Sequence, residues 1–213
     1  MFHPKTIAIS LVALGLAGCA SGTEFDQTGG IKSVRSSCPA VAIPVDTGDV
    51  TLFNPPASRD ARAIDVVATI TKLRNNCVQQ GERIVTDATF EVQARRSDTK
   101  GDREVVLPYF ATVTRGGTQV VSKQVSRVAL RFADGQATAT ATGGGRADIA
   151  ASAATLPPEI EAQVTRRRKP GDADATVDPF TDPAVRAAVR KASFELLIGF
   201  QLTQEQLSYN ATR

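Results

Sequence analysis

The chain has 213 residues, enough for one substantial core, and its 25 Lys and Arg stand against 22 Asp and Glu for a net charge of only +3. That balance leaves no electrostatic footprint for nucleic acid, and two tyrosines with no tryptophan leave few surfaces on which bases or sugar rings stack. One histidine, His3, near the start, throws any acid–base chemistry onto Asp, Glu, Lys and Tyr.

Lys5 precedes an apolar run from Ile7 to Leu16, too short for the roughly 20 residues of a membrane-spanning helix and ending in small residues as a secretory signal does. The run closes on Leu16-Ala17-Gly18-Cys19, which resembles the lipobox of bacterial lipoproteins. The resemblance implies a diacylglyceryl group on the Cys19 thiol, cleavage before that residue and acylation of the new amine. His3 then leaves with the signal. Ala20 follows the cysteine in place of aspartate. In the lipoproteins it resembles, this implies the outer membrane and its periplasmic face. An uncleaved anchor, or an ordinary signal with a chance cysteine, are the other readings of the start, and they too export the chain.

With Cys19 assigned to lipid, Cys38 and Cys77 are left as a pair, which an oxidising compartment favours as a disulfide. Cys38 opens the apolar segment 40–45 and Cys77 closes 63–73, so antiparallel neighbours would bring start to end. A metal or redox pair has no support, since there is no Cys-x-x-Cys and no remaining histidine. Between Ala20 and Ser37 the composition is rich in Gly, Ser and Thr, and a flexible tether is expected.

Alternation then takes over. Ile64, Val66, Ala68 and Ile70 share one face of a predicted strand, and Ile84, Thr86, Ala88, Phe90, Val92 and Ala94 share one face of the next. Residues 104–114 and 119–132 read as a hairpin turned by Gly116-Gly117, with Val128, Leu130 and Phe132 facing inward. Pro108 removes a ladder donor, so an edge position or a bulge is expected there. Asp134-Gly135 makes another turn into a short strand, 136–142, which Gly143 to Gly145 are expected to break. Short strands between turn residues predict a mainly β fold, an antiparallel sandwich of the immunoglobulin or fibronectin type.

A helical insertion is expected over about 156–192. Pro157-Pro158 opens one helix, and Asp182, as N-cap before Pro183, opens a second whose Val185, Ala188, Val189 and Ala192 share a face. Phe194, Leu196, Ile198, Phe200 and Leu202 then line one side of a last strand. Thr203 and Gln206 form a capping box for a terminal helix over 204–209. Residues 38–213 are read as one domain.

Candidate sites are few. Arg166-Arg167-Arg168-Lys169 is a candidate surface for an anionic partner such as lipid phosphates, against the plainer reading of a solvated helix end. Asp172, Asp174, Thr176 and Asp178 have the spacing of a calcium loop, but Val177 stands where such a loop needs glycine and Pro183 where it needs glutamate, so no metal or other cofactor is expected. Asn210-Ala211-Thr212 spells a glycosylation sequon and nothing more in a bacterial lipoprotein. Asp87, Glu91 and Glu104 fall on predicted strands as solvated carboxylates, and Gly-x-Ser-x-Gly and phosphate-loop motifs are absent from the sequence.

Ser37-Cys38-Pro39, Leu107-Pro108-Tyr109-Phe110, and Gly199 to Thr203 with Tyr209-Asn210 resemble segments of a group of uncharacterised proteobacterial envelope lipoproteins. The resemblance implies residence in the envelope and brings no activity with it. The expected function is a lipid-anchored, non-catalytic module that binds or scaffolds another envelope component, as a monomer or weak assembly. A carrier of a small ligand is the alternative, and a carboxylate hydrolase the remote one.

Overall fold

The structure is a computed structural model describing residues 36–166, 171–173 and 176–212. The signal, the lipobox with Cys19 and nearly all of the expected tether lie outside the described residues. In chain order the elements are β1 (Ala40–Ala42), β2 (Asp49–Phe53), β3 (Ile64–Gln80), β4 (Arg83–Arg96), β5 (Arg103–Arg115), β6 (Gln119–Phe132), β7 (Thr138–Ala150), α1 (Ala151–Ala154), α2 (Pro158–Thr165), α3 (Pro183–Ala192), β8 (Phe194–Phe200) and α4 (Gln204–Thr212). The fold is mainly β. One sheet runs β1-β8-β5-β6 and the other β2-β3-β4-β7, antiparallel throughout except that β1 lies parallel to β8.

The predicted alternation is what builds the core. On β4, Ile84, Thr86, Ala88, Phe90, Val92 and Ala94 are all buried, and on the opposite sheet Val128, Leu130 and Phe132 meet Leu196, Ile198 and Phe200 in the same cluster. Full burial of side chains such as Phe90, Phe132 and Phe200 contributes about 1.5–3 kcal/mol each. Between the sheets the Tyr109 hydroxyl donates to the Gly144 carbonyl at 3.0 Å, and its ring meets Phe90 edge to face with centroids 5.0 Å apart.

That packing explains why the predicted break at Gly143 to Gly145 does not occur. β7 runs on to Ala150, paired residue by residue with β4. A Cβ on Gly143 would run into the Phe90 ring, and one on Gly145 would come within 2.7 Å of Ala111 Cβ. At each of these glycines a neighbour, the Phe90 ring, the Ala88 carbonyl or the Ala111 methyl, occupies the space of a side chain.

Pro108 also departs from expectation, since β5 is a central strand and its bulge falls at Val113/Thr114. Gln201 N–H donates to the Pro108 carbonyl at 2.9 Å just past the end of β8. A central strand tolerates the missing N–H because the ladder with β8 stops there.

Cys38 and Cys77 are joined, with Cα atoms 6.2 Å apart. The geometry is not the expected one. The segment after Cys38 belongs to one sheet and β3 to the other, so the bridge ties the sheets together instead of tying neighbours within one. Its basis is a bulge. Val66, Ala68 and Ile70 face the core, but the register of β3 shifts between Thr71 and Arg74, where Lys72 has φ 52°. The extra residue flips the parity, so Cys77 stands opposite the buried Thr86 and faces inward.

The helices sit where their caps place them. The Asp182 side chain accepts from Ala184 N–H at 2.7 Å, α3 buries Val185 and Ala192, and Thr203 and Gln206 exchange the two bonds of a capping box. The sequon residue Asn210 is buried on α4, where its amide donates to the carbonyls of Asp46 and Asp49 at 2.8 and 2.7 Å.

Candidate functional site

β6 is the edge of its sheet, and for nine residues from Gln119 to Arg127 every side chain is exposed on both faces. It carries Lys123, Arg127 and Arg131 and no acidic residue. Arg131 is taken by Glu104 across the strand pair at 2.7 Å, whereas Lys123 lies over the Phe110 ring at 5.3 Å and Arg127 makes no ion pair among the described residues. Val120, Val121 and Val125 are each more than half exposed on the same strand.

The orientation of this edge follows from Pro108. Its carbonyl points to β8, so its cross-strand partner Arg127 forms a wide pair, with its own N–H and C=O directed away from β5. By alternation Lys123, Val125, Ala129 and Arg131 also present N–H and C=O outward. These residues share a sheet face with Phe110 and Pro108, opposite to the face of Val128 and Leu130.

Away from this edge, two concavities bear on ligand binding. A groove of about 730 Å³ runs beside the bridge, its apolar walls formed by Val41, Val164, Phe180, Val189 and Phe194. A smaller pocket of about 350 Å³ lies between β2 and α4. There Phe53 and Tyr209 meet edge to face at 5.1 Å, and Arg59 covers Phe53 while pairing with Glu205 at 2.8 Å.

The sequence-derived candidates are not brought together. Arg166 approaches Asp172 to 3.9 Å, while Arg167, Arg168 and Lys169 lie outside the described residues, as does Asp174 of the calcium-like spacing. Among the described residues no group of three or more His, Cys, Asp or Glu is placed to hold a metal. Nor is any helix among them long and apolar enough to cross a membrane.

The carboxylates considered for catalysis stand in separate surface ion pairs, Asp87 with Arg146 at 2.6 Å, Glu91 with Lys72 at 3.0 Å and Glu104 with Arg131. The Gln93 amide, and after it the Lys72 ammonium, holds Glu91 below the usual carboxylate range, and Arg62 does the same for Asp60. Arg103 lowers Asp65 through two hydrogen bonds of 2.6 Å. Each of these displacements runs opposite to what a general acid needs.

Arg96 is the residue that the sequence reading missed. Only 2% exposed, its guanidinium donates to the carbonyls of Gln136, Gly101, Thr99 and Ala133 at 2.8 to 2.9 Å and stacks over Phe132. It clasps the β4–β5 and β6–β7 loops together, aided by Gly135 N–H on the Thr99 carbonyl and Gly101 N–H on Asp134. Its signal was parity, because Arg96 continues the even-numbered inward series of β4.

The described residues therefore form a two-sheet β protein with an open basic edge strand and several shallow concavities. No family model matches it, and neither a curated protein nor a solved structure does.

Proposed function

We propose that this chain is a non-catalytic binding or scaffolding module of a bacterial envelope, anchored by lipid on Cys19 at the periplasmic face of the outer membrane. The observation that carries the binding role is the β6 edge, a long strand with unpaired backbone and exposed valines, the kind of surface to which other chains add strands. The anchor rests on the lipobox-like Leu16 to Cys19, and the outer membrane on Ala20. In architecture we place the fold with immunoglobulin- and fibronectin-like sandwiches, on the strength of two four-stranded sheets around one core. Its strand order has its own character, with β2, β3 and β4 consecutive in one sheet and β1 parallel to β8.

The test is photo-crosslinking in cells from positions spread over both sheets. Capture of one specific envelope component is expected. Background at every position would sink the scaffold role. A second reading, a carrier for a small apolar ligand, is supported by the 730 Å³ groove, whose size falls in the range of ligand sites.

A further inference from the structure

Resting on the binding role just proposed, we infer that the β6 edge takes an extended partner segment with the side-chain order acidic, any, β-branched, any, acidic. The two acids oppose Lys123 and Arg127, and the β-branched residue opposes Val125.

The argument is one of register. Lys123, Val125 and Arg127, on the stretch of β6 exposed on both faces, present their N–H and C=O groups outward, so an added strand pairs with them along about 14 Å. Partner residues directly opposite them carry side chains on the same face of the sheet, within cross-strand reach. Arg131 already has Glu104, which leaves Lys123 and Arg127 as the cations to be met, two pairing steps apart with Val125 between them. The pattern reads the same in both directions, so it holds for a parallel or an antiparallel partner.

A second copy of the chain fits poorly. Two β6 edges paired antiparallel about Val125 would set Lys123 of each copy against Arg127 of the other, and like charges directly opposite destabilise a ladder. Lysine on an edge also guards against indiscriminate pairing, which is compatible with selection for an acidic strand.

The test uses the full chain purified in detergent and a fluorescein-labelled nine-residue peptide with Glu-Thr-Val-Thr-Glu at its centre, followed by fluorescence anisotropy. Saturable binding tighter than about 1 mM is expected, with at least about a tenfold loss when Lys123→Glu and Arg127→Glu are combined. A peptide bearing lysine in place of both glutamates should then bind the charge-reversed chain. Val125→Pro leaves the ladder with β5 intact, because the N–H it removes points outward, and it should abolish binding with the thermal midpoint unchanged. Should that variant melt early, the charge swap carries the test alone.

No binding below that limit, equal binding to the charge-reversed chain, or a preference that fails to follow the charges would each overturn the inference. A partner captured in cells through another face, with a silent peptide, would overturn the edge alone. A charge-following peptide with no cellular partner would support the edge and sink the scaffold.

Discussion

Asp65 at the start of β3 and Arg103 at the start of β5 join the two sheets through a pair of hydrogen bonds, each 2.6 Å long. The carboxylate is largely buried and the guanidinium partly exposed, 13% and 39% by side chain. The Arg103 guanidinium, by its hydrogen bonds first, holds the Asp65 carboxyl below the usual carboxylate range. A carboxyl lowered on folding contributes stability that is whole above the ordinary carboxylate range and is lost as pH falls through the folded value. Asp65→Asn should therefore cost about 1 kcal/mol at pH 7 and progressively less as pH falls below about 4, measured by urea denaturation across pH.

Removing the bridge with Cys38→Ser and Cys77→Ser frees a loop of 39 residues. Loop-closure entropy assigns that constraint about 4 kcal/mol, or roughly 10 °C in midpoint for a domain of this size. Thermal melts of the variant, and of the unaltered protein with and without reductant, should agree. An unchanged midpoint would mean that the bridge does not constrain the unfolded chain.

Arg96→Ala should be the most damaging single change at the loop end. It takes a donor from four carbonyls, of which Thr99 and Ala133 keep a backbone N–H while Gln136 and Gly101 lose the guanidinium, and it opens a cavity over Phe132, a loss of about 2–4 kcal/mol. Arg96→Lys should recover only part, since one ammonium cannot span four acceptors set for a planar fork. Urea midpoints of the two variants decide this.

Gly143→Ala should destabilise by about 1–3 kcal/mol, because its methyl collides with the Phe90 ring. Phe90→Leu creates space at the same spot, so the double variant should lose less than the sum of the two singles. A thermodynamic cycle measures the coupling, and strict additivity would mean that the two residues do not share the space.

Cys19→Ser should abolish fatty-acid labelling and move the protein from the membrane to the soluble fraction. Labelled palmitate followed by fractionation measures both. Labelling that persists would remove the lipid anchor from the proposed function.

Strand β4 was legible from the sequence because its period of two is unbroken from Ile84 to Ala94, and the caps at Asp182 and Thr203 were legible because capping depends on side chains close in sequence. The Gly143 to Gly145 segment was misread because the reason for small residues lies on Phe90 and Ala111, visible only once strands are paired. The Cys38–Cys77 pair was read correctly and its geometry was not. Whether Cys77 faces inward depends on the added residue near Lys72, and apolar alternation fades over that stretch of β3. The open edge of β6 was hidden for a related reason, since a sequence shows that a strand alternates but not on which side it lacks a neighbour.

The bridge also has a mechanical meaning. A pull on the chain ahead of Cys38 passes covalently into β3 at Cys77, so residues 39–76 carry none of it. With the bond intact those residues form a closed loop that tension cannot lengthen. With it reduced, the same pull peels away the three-residue β1 first and can draw out roughly 130 Å of chain before it reaches residue 77. Drawing out that length strips β2 and most of β3 from the core, so the bond decides whether tension at the leading end is borne by a covalent link or by the sheet itself.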